Sequence, residues 1–292
     1  GLNVVEYFPY LKLGRAYLEL GRHEAALAAL ETEERLGAIR GTPSALAELG
    51  NLRRRAQRAL DEVRAAAAER AGLFGLSLAY QAALRVRNHW YDRLAMPRWL
   101  DVPVISVGNL VLGGTGKTPA VAWIARFLRS AGHRPAIISR GYGGTARGVV
   151  NLVSDGNQVL LNAEQAGDEP AMLARQLPGI PVLTGKIRLH PCRHAIERLH
   201  STILILDDGF QHLAIARDID LVLFNATTLA GNSRVFPGGE LREPVSALGR
   251  CTAFLLTGVD DGNRGRAERF AALLTSRFPD KPVLYSTIAA EL

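Results

Sequence analysis

From Val102 onward the chain alternates short apolar runs with longer amphipathic stretches. Val102–Val107, Pro135–Ser139, Pro181–Thr184, Thr202–Leu206, Leu221–Phe224, Ala253–Thr257 and Pro282–Ser286 have strand length and no polar alternation. Between them, Pro119–Ser130, Glu169–Gln176, His190–Leu199 and Arg264–Arg277 carry helical periodicity. Strands that are apolar on both faces belong to a parallel sheet covered by helices on each side. The pattern predicts a doubly wound, mainly parallel α/β domain over 100–292, with ligands beyond the carboxyl ends of its strands.

The first hundred residues read differently. Residues 1–70 are rich in Ala, Leu, Glu and Arg, all strong helix formers. Tyr10, Leu13, Gly14, Tyr17, Gly21, Ala26 and Leu30 have the spacing of one tetratricopeptide-like helical hairpin, a possible dock for a protein partner. Gly41-Thr-Pro-Ser44 predicts a break with Ser44 as helix cap, and a second helix over Ala45–Arg70. Residues 71–99 combine an apolar surface (Leu73, Phe74, Leu76, Leu78, Leu84, Val86) with a basic and aromatic flank (Arg85, Arg87, Trp90, Tyr91, Trp99). Such a segment suits either a helix lying in a membrane interface or one packed on its own domain.

Composition narrows the partners. Thirty-five Lys and Arg against 28 Asp and Glu leave a formal charge of +7, compatible with a phosphorylated ligand, an anionic membrane or a solvated Arg-rich face. No run interleaves basic and aromatic residues as a single-strand binding track does, which argues against nucleic acid. Cys192 and Cys251 stand far apart, in no disulfide framework and no metal-ligand spacing. No stretch of about 20 apolar residues appears, and the first 30 residues show no signal-peptide pattern.

The chemistry sits at strand ends. Gly113-Gly-Thr-Gly-Lys-Thr118 lies between a strand and a helix, the context of a phosphate-binding loop. Gly113, Gly114, Thr115 and Gly116 let backbone N–H groups turn toward phosphate oxygens, Lys117 reaches the β- and γ-phosphates, and the Thr118 hydroxyl can ligate magnesium. The fold class is therefore α/β of the P-loop NTPase type, preceded by an all-helical segment. Asp207 and Asp208 end the run Thr202–Leu206, where carboxylates either hold magnesium or cap a turn. Gly167-Asp-Glu-Pro170 offers Asp168 as a general base or a surface cap; Pro170 is expected to leave it in a loop. Ser139-Arg-Gly-Tyr-Gly-Gly144 implies tight backbone geometry. In Pro237-Gly-Gly-Glu-Leu-Arg-Glu-Pro244, Arg242 can bridge phosphate oxygens and Glu243 can add a metal contact.

Taken together, SVGNLVLGGTGKTP (106–119), SRGYGG (139–144), GDEP (167–170), LDDGFQHLAIARDIDLVL (206–223) and PGGELREP (237–244) resemble the tetraacyldisaccharide 4'-kinase family over roughly 73–292. The resemblance implies transfer of the ATP γ-phosphate, with magnesium, to the 4'-hydroxyl of a tetraacyl glucosamine disaccharide, the lipid A precursor tetraacyldisaccharide 1-phosphate. It implies work at the cytoplasmic face of the bacterial inner membrane, held there by the segment around 73–93. It makes Lys117 and Thr118 the phosphate and magnesium groups and Asp168 the base. Asp207 and Asp208 become the acidic pair near metal and substrate, and Arg242 and Glu243 complete the nucleotide site.

Three features depart from the family pattern. The helical segment before residue 71 is an addition. Asn225 stands where the family more often has Asp. The Asp-His-His motif of the family's C-terminal lobe is absent up to Leu292, so the chain as given is expected to bind nucleotide but transfer phosphate weakly or not at all. Two alternatives remain beside the kinase. One is an interaction module with a vestigial kinase fold. The other is a partitioning-type ATPase or GTPase, but Leu112 replaces the partitioning lysine, and Thr257-Gly-Val-Asp260 lacks the lysine of a guanine reader.

Overall fold

The computed structural model describes residues 9–36, 42–93 and 96–287. Gly41, part of the expected interhelical break, lies outside them. Two compact units are distinguished, 1–75 and 76–292.

In the first unit, α1 (Pro9–Glu19) and α2 (His23–Leu36) form a hairpin turned at Gly21, whose φ of 69° is left-handed. A Cβ on Gly14 would lie 2.6 Å from the Leu30 side chain, so glycine is what lets the two helices cross there. Leu11, Leu30, Ala45, Leu49 and Leu52 form the small core. Glu33 is buried and accepts hydrogen bonds from the Tyr10 and Leu11 amides at 2.9 and 3.1 Å, satisfying orphan donors of the first turn of α1. The third helix, α3, runs unbroken over Pro43–Arg93. Ser44 is therefore inside its first turn and is not its cap. Pro43 takes the first helical position, where its fixed φ fits and no N–H is needed.

The second unit is an eight-stranded sheet in the order β3-β4-β2-β5-β1-β6-β7-β8. Its strands are β1 (Val104–Asn109), β2 (Pro135–Ser139), β3 (Asn151–Ser154), β4 (Val182–Thr184), β5 (Ile203–Asp207), β6 (Ile219–Asn225), β7 (Ala253–Thr257) and β8 (Val283–Tyr285). Every pairing is parallel except β3 with β4. The seven apolar runs all became strands of this parallel set. Edge strand β3 escaped the pattern because only half of it is buried. The helices of this unit are α4 (Lys117–Ser130), α5 (Ala163–Ala166), α6 (Asp168–Gln176), α7 (Leu189–Glu197) and α8 (Arg264–Arg277). Helices α4 and α6 cover one face of the sheet through Val121, Ala125, Ala171 and Leu173. On the other face, Leu84 and Ala267 join Phe224 and Phe254, while Cys192 and Ala195 join Leu204 and Leu206.

Chain order places the site. Strand β1 connects through α4 to β2 on one side, whereas β6 later pairs along the opposite edge of β1. Connections thus diverge at β1, and a crevice opens beyond its carboxyl end, as at the switch point of other doubly wound sheets.

Candidate active site

The crevice is a cleft of about 1030 Å³. One wall is the loop from Gly113 to Lys117 with the start of α4. Gly116 precedes the helix at φ 74°, a left-handed conformation that aims the first amides of α4 toward the cleft. Two side chains brace this loop from below. Asn109, fully buried at the end of β1, donates from Nδ2 to the Val111 carbonyl at 2.7 Å and to Thr115 Oγ1 at 2.9 Å. At the end of β7, Thr257 Oγ1 donates to the Thr115 carbonyl at 2.9 Å. The threonine that failed as part of a guanine reader is thus a brace of the phosphate loop. Neither was assigned a role from sequence: Thr257 acts on the backbone of a distant segment, and Asn109 acts within its own, on the Val111 carbonyl and the Thr115 hydroxyl.

The facing wall is assembled from distant segments. Segment 240–242 runs against the chain entering the loop: Leu112 N donates to Glu240 O and Arg242 N to Leu110 O, both at 2.7 Å. This brings Arg242 Nη1 to 2.8 Å from Asp208 Oδ2, while Lys117 Nζ lies 3.6 Å from Asp208 Oδ1. Although burial opposes it, Lys117 and then Arg242 hold the Asp208 carboxyl below its ordinary range. Asp208 itself has φ 50°, in the left-handed region that a non-glycine residue occupies only when its surroundings impose it.

Asp207 points elsewhere, as adjacent strand residues do. It is 1% exposed, and among the described residues neither carboxylate oxygen has a hydrogen-bond partner of normal geometry. Burial pushes its pKa up to about 6, with Glu169 and Asp208 adding to the rise and Arg188 and the Ser139 hydroxyl opposing it. Asp207 does not line the cleft itself, but an unpartnered buried carboxylate adjacent in sequence to Asp208 has the chemistry of a magnesium ligand, directly or through water. Among the described residues no group of three or more His, Cys, Asp or Glu could hold a metal by itself. Thr118, which lines the cleft, could add a hydroxyl ligand, and substrate phosphates the remaining oxygens.

Asp168 lines the cleft, but not from a loop. It begins α6, with Glu169 and Pro170 in the same first turn, where proline's missing N–H has no intrahelical partner. A Cβ on Gly144 would lie 2.5 Å from the Gln165 carbonyl, and one on Gly167 would collide with the Tyr142 carbonyl. The two glycine-bearing motifs interlock at these points, which sets the start of α6 against the cleft.

Glu243 is not brought to the cleft. It is fully buried, accepting from Arg87 Nη2 (3.0 Å), Asn88 Nδ2 (2.9 Å) and Arg250 Nη2 (3.0 Å). With both oxygens occupied by protein donors and no place in the cleft lining, it is a structural counter-ion in this geometry and offers no free oxygen for the metal contact expected from its position. Asn225 Oδ1 accepts from the Thr227 amide at 2.8 Å and shapes the turn after β6.

Several lining residues were not assigned from sequence: Arg140, Glu169, Lys186, Arg188, Gln211 and His212. Arg188 is 4% exposed and donates to the Asp208 carbonyl at 3.0 Å. Its signal was its place just after β4, another carboxyl end. Burial lowers the His212 pKa to about 4, with Arg188, Arg217 and Arg140 adding to the effect, so its imidazole is neutral. Against Asp168, Glu169 and Asp208 the cleft sets Arg87, Lys117, Arg140, Lys186, Arg188 and Arg242, an excess that favours an anionic ligand.

Sheet order, phosphate loop and acidic strand end together define a P-loop NTPase-type α/β protein. The tetraacyldisaccharide-1-P 4'-kinase family model matches residues 70–290, and the chain belongs to that family. Among curated relatives, the tetraacyldisaccharide 4'-kinase of Desulfotalea psychrophila is 56% identical over 184 residues, covering 63% of this chain and 53% of its own length. That of Syntrophus aciditrophicus is 50% identical over 184 residues, covering 62% and 49%. The chain spans about half the length of these relatives. A solved structure of LpxK from Aquifex aeolicus in complex with ATP matches with a TM-score of 0.59 at 27% identity, covering 76% of this chain and 85% of that one.

Proposed function

We propose that the protein is a 4'-kinase that moves the γ-phosphate of ATP to the 4'-hydroxyl of a tetraacyldisaccharide 1-phosphate. The observation that carries the reading is Asp208, fixed between Lys117 of the phosphate loop and Arg242 in a cleft of net positive charge. Family membership supplies the acceptor. Loop amides and Lys117 bind the β- and γ-phosphates, and Arg242 orients the phosphate oxygens as charge spreads over them. Thr118 and Asp207 would hold the magnesium ion, which neutralises phosphate charge when bound. Asp168, exposed at the start of α6, takes the proton of the acceptor hydroxyl.

The acceptor's acyl chains suggest a surface. No helix among the described residues is long and apolar enough to cross a membrane. From Leu76 on, however, α3 exposes Leu76, Leu78, Val86 and Trp90, while Tyr80 and Arg87 of the same stretch line the cleft. This arrangement supports peripheral attachment to an anionic bilayer, at the cytoplasmic face of the inner membrane where the family is expected to work.

The test is a transfer assay with ATP, magnesium and tetraacyldisaccharide 1-phosphate in mixed micelles. Phosphorylation at the 4' position, weak in this 292-residue chain as its sequence leads one to expect and lost in Lys117→Ala, is the expected result. ATP binding with transfer to a different acceptor would overturn the substrate assignment, and absence of nucleotide binding would overturn the kinase reading itself.

A further inference from the structure

The turn Asp208–His212 hangs from one buried guanidinium outside the cleft. Arg217 Nη1 donates to the carbonyls of Gly209 (3.2 Å), Phe210 (3.5 Å) and His212 (3.1 Å). Its Nη2 lies 3.4 Å from Asp220 Oδ2 on β6, and the two side chains are only 10% and 4% exposed. Neither residue lines the cleft. Burial lowers the Arg217 pKa and Asp220 raises it, with Arg250 and Glu243 acting in opposite directions beside them; the guanidinium stays charged, and Asp220 is its ion-pair partner.

The turn needs holding. It begins with Asp208 at φ 50° and carries both Gln211, which donates to the Asn109 carbonyl at 2.9 Å, and the neutral His212. It crosses β1 closely, since a Cβ on Gly108 would lie 2.6 Å from Phe210 Cβ. Its Phe210 ring is covered by the Arg250 guanidinium at 4.9 Å. Those contacts fix the ring and its approach to the sheet, whereas the backbone is bound by Arg188 at the Asp208 carbonyl and by Arg217 at the carbonyls of Gly209, Phe210 and His212. A planar guanidinium can serve several carbonyls and a carboxylate at once; a lysine ammonium is a compact charge that cannot span them.

We propose that Arg217, held by Asp220, is a positioning residue of the cleft: it sets the backbone of the turn so that Asp208 meets Lys117 and Arg242. The link to catalysis rests on the kinase reading above, whereas the link to the backbone does not. A residue that only stabilises the fold would loosen β5, β6 and the turn together when changed. A positioning residue loosens the turn selectively.

The experiment compares wild type, Arg217→Lys and Asp220→Asn of the 292-residue protein, by native-state hydrogen exchange and by calorimetric titration with Mg-ATP. In the folded protein the Gly209 amide bonds the Val107 carbonyl at 3.2 Å and the His212 amide bonds the Gly209 carbonyl at 2.9 Å, so both report on the turn. In Arg217→Lys these amides should exchange about tenfold faster while β5 and β6 amides stay within about twofold. Mg-ATP affinity should fall about tenfold, because a small misplacement of a charged group is felt strongly in such a site. Asp220→Asn should shift both readouts in the same direction by less, and it carries the test if Arg217→Lys does not fold. Unchanged exchange in the turn, or equal acceleration of turn and strands, would overturn the proposal. A wild type that does not bind Mg-ATP would overturn the kinase reading, and exchange alone would then decide the role of Arg217.

Discussion

The two walls of the cleft are built by opposite means. The phosphate loop is one continuous hexapeptide whose glycines and backbone amides would do the binding, so its chemistry is written in adjacent residues. The facing wall draws Asp208, Arg188, Arg242 and Asp168 from four segments: Arg242 pairs with the Asp208 carboxylate, Arg188 holds the Asp208 carbonyl, and glycine contacts set Asp168 at the start of α6. A local wall depends on conformation, and an assembled wall depends on charge partners. Substitutions that remove a partner should therefore damage the second wall more than the first.

The largest effect is expected at Glu243. Replacement by Ala strands Arg87 and Arg250 around an empty buried position. Breaking a buried pair costs about 3–5 kcal/mol, and the lower end is expected here because the Arg87 side chain is 36% exposed and can rehydrate. Chemical denaturation should show that loss, and Glu243→Gln should recover part of it by keeping hydrogen bonds to the same donors.

That network also shows what the sequence could and could not disclose. Strand runs and the phosphate loop were legible because each rests on neighbours in the chain. Asp207 and Asp208 were legible as a pair at a strand end. Their division of labour was not, since it follows from which of them Lys117 and Arg242 reach. Glu243 looked like a metal ligand from its place beside Arg242, and only the docking of α3 shows that Arg87 and Asn88 claim it. Thr257 left no trace because it binds backbone of a distant segment, and Asn109, though inside a quoted motif, gave no sign of which neighbours it braces.

A middle-sized effect is expected on the local wall. Thr257→Val keeps the shape but removes the hydrogen bond to the Thr115 carbonyl. Its loss should cost about 1 kcal/mol in stability and weaken Mg-ATP binding less than Arg242→Ala does. The reverse order in calorimetry would break the distinction between the walls.

The last effect appears only on acidification. The folded-state pKa of His212, lowered to about 4 from the ordinary 6.5, means that the unfolded chain takes up this proton first as pH falls. The stability linked to His212 is fully present above about pH 6.5 and is lost progressively toward pH 4. Asp207, raised to about 6, acts with the opposite sign between about pH 4 and 6, so the difference between wild type and His212→Asn isolates the histidine. Denaturation between pH 4 and 7 should show the wild type losing more stability than the variant on acidification. A variant that loses as much would contradict the neutral buried imidazole.

The most direct test of the cleft as a phosphate site is calorimetric titration of Mg-ATP into wild type and Lys117→Ala. The account predicts one site in the wild type and a loss of about a hundredfold in the variant, as expected when a charged hydrogen bond of about 3 kcal/mol is removed. Equal affinity in the two proteins would contradict it.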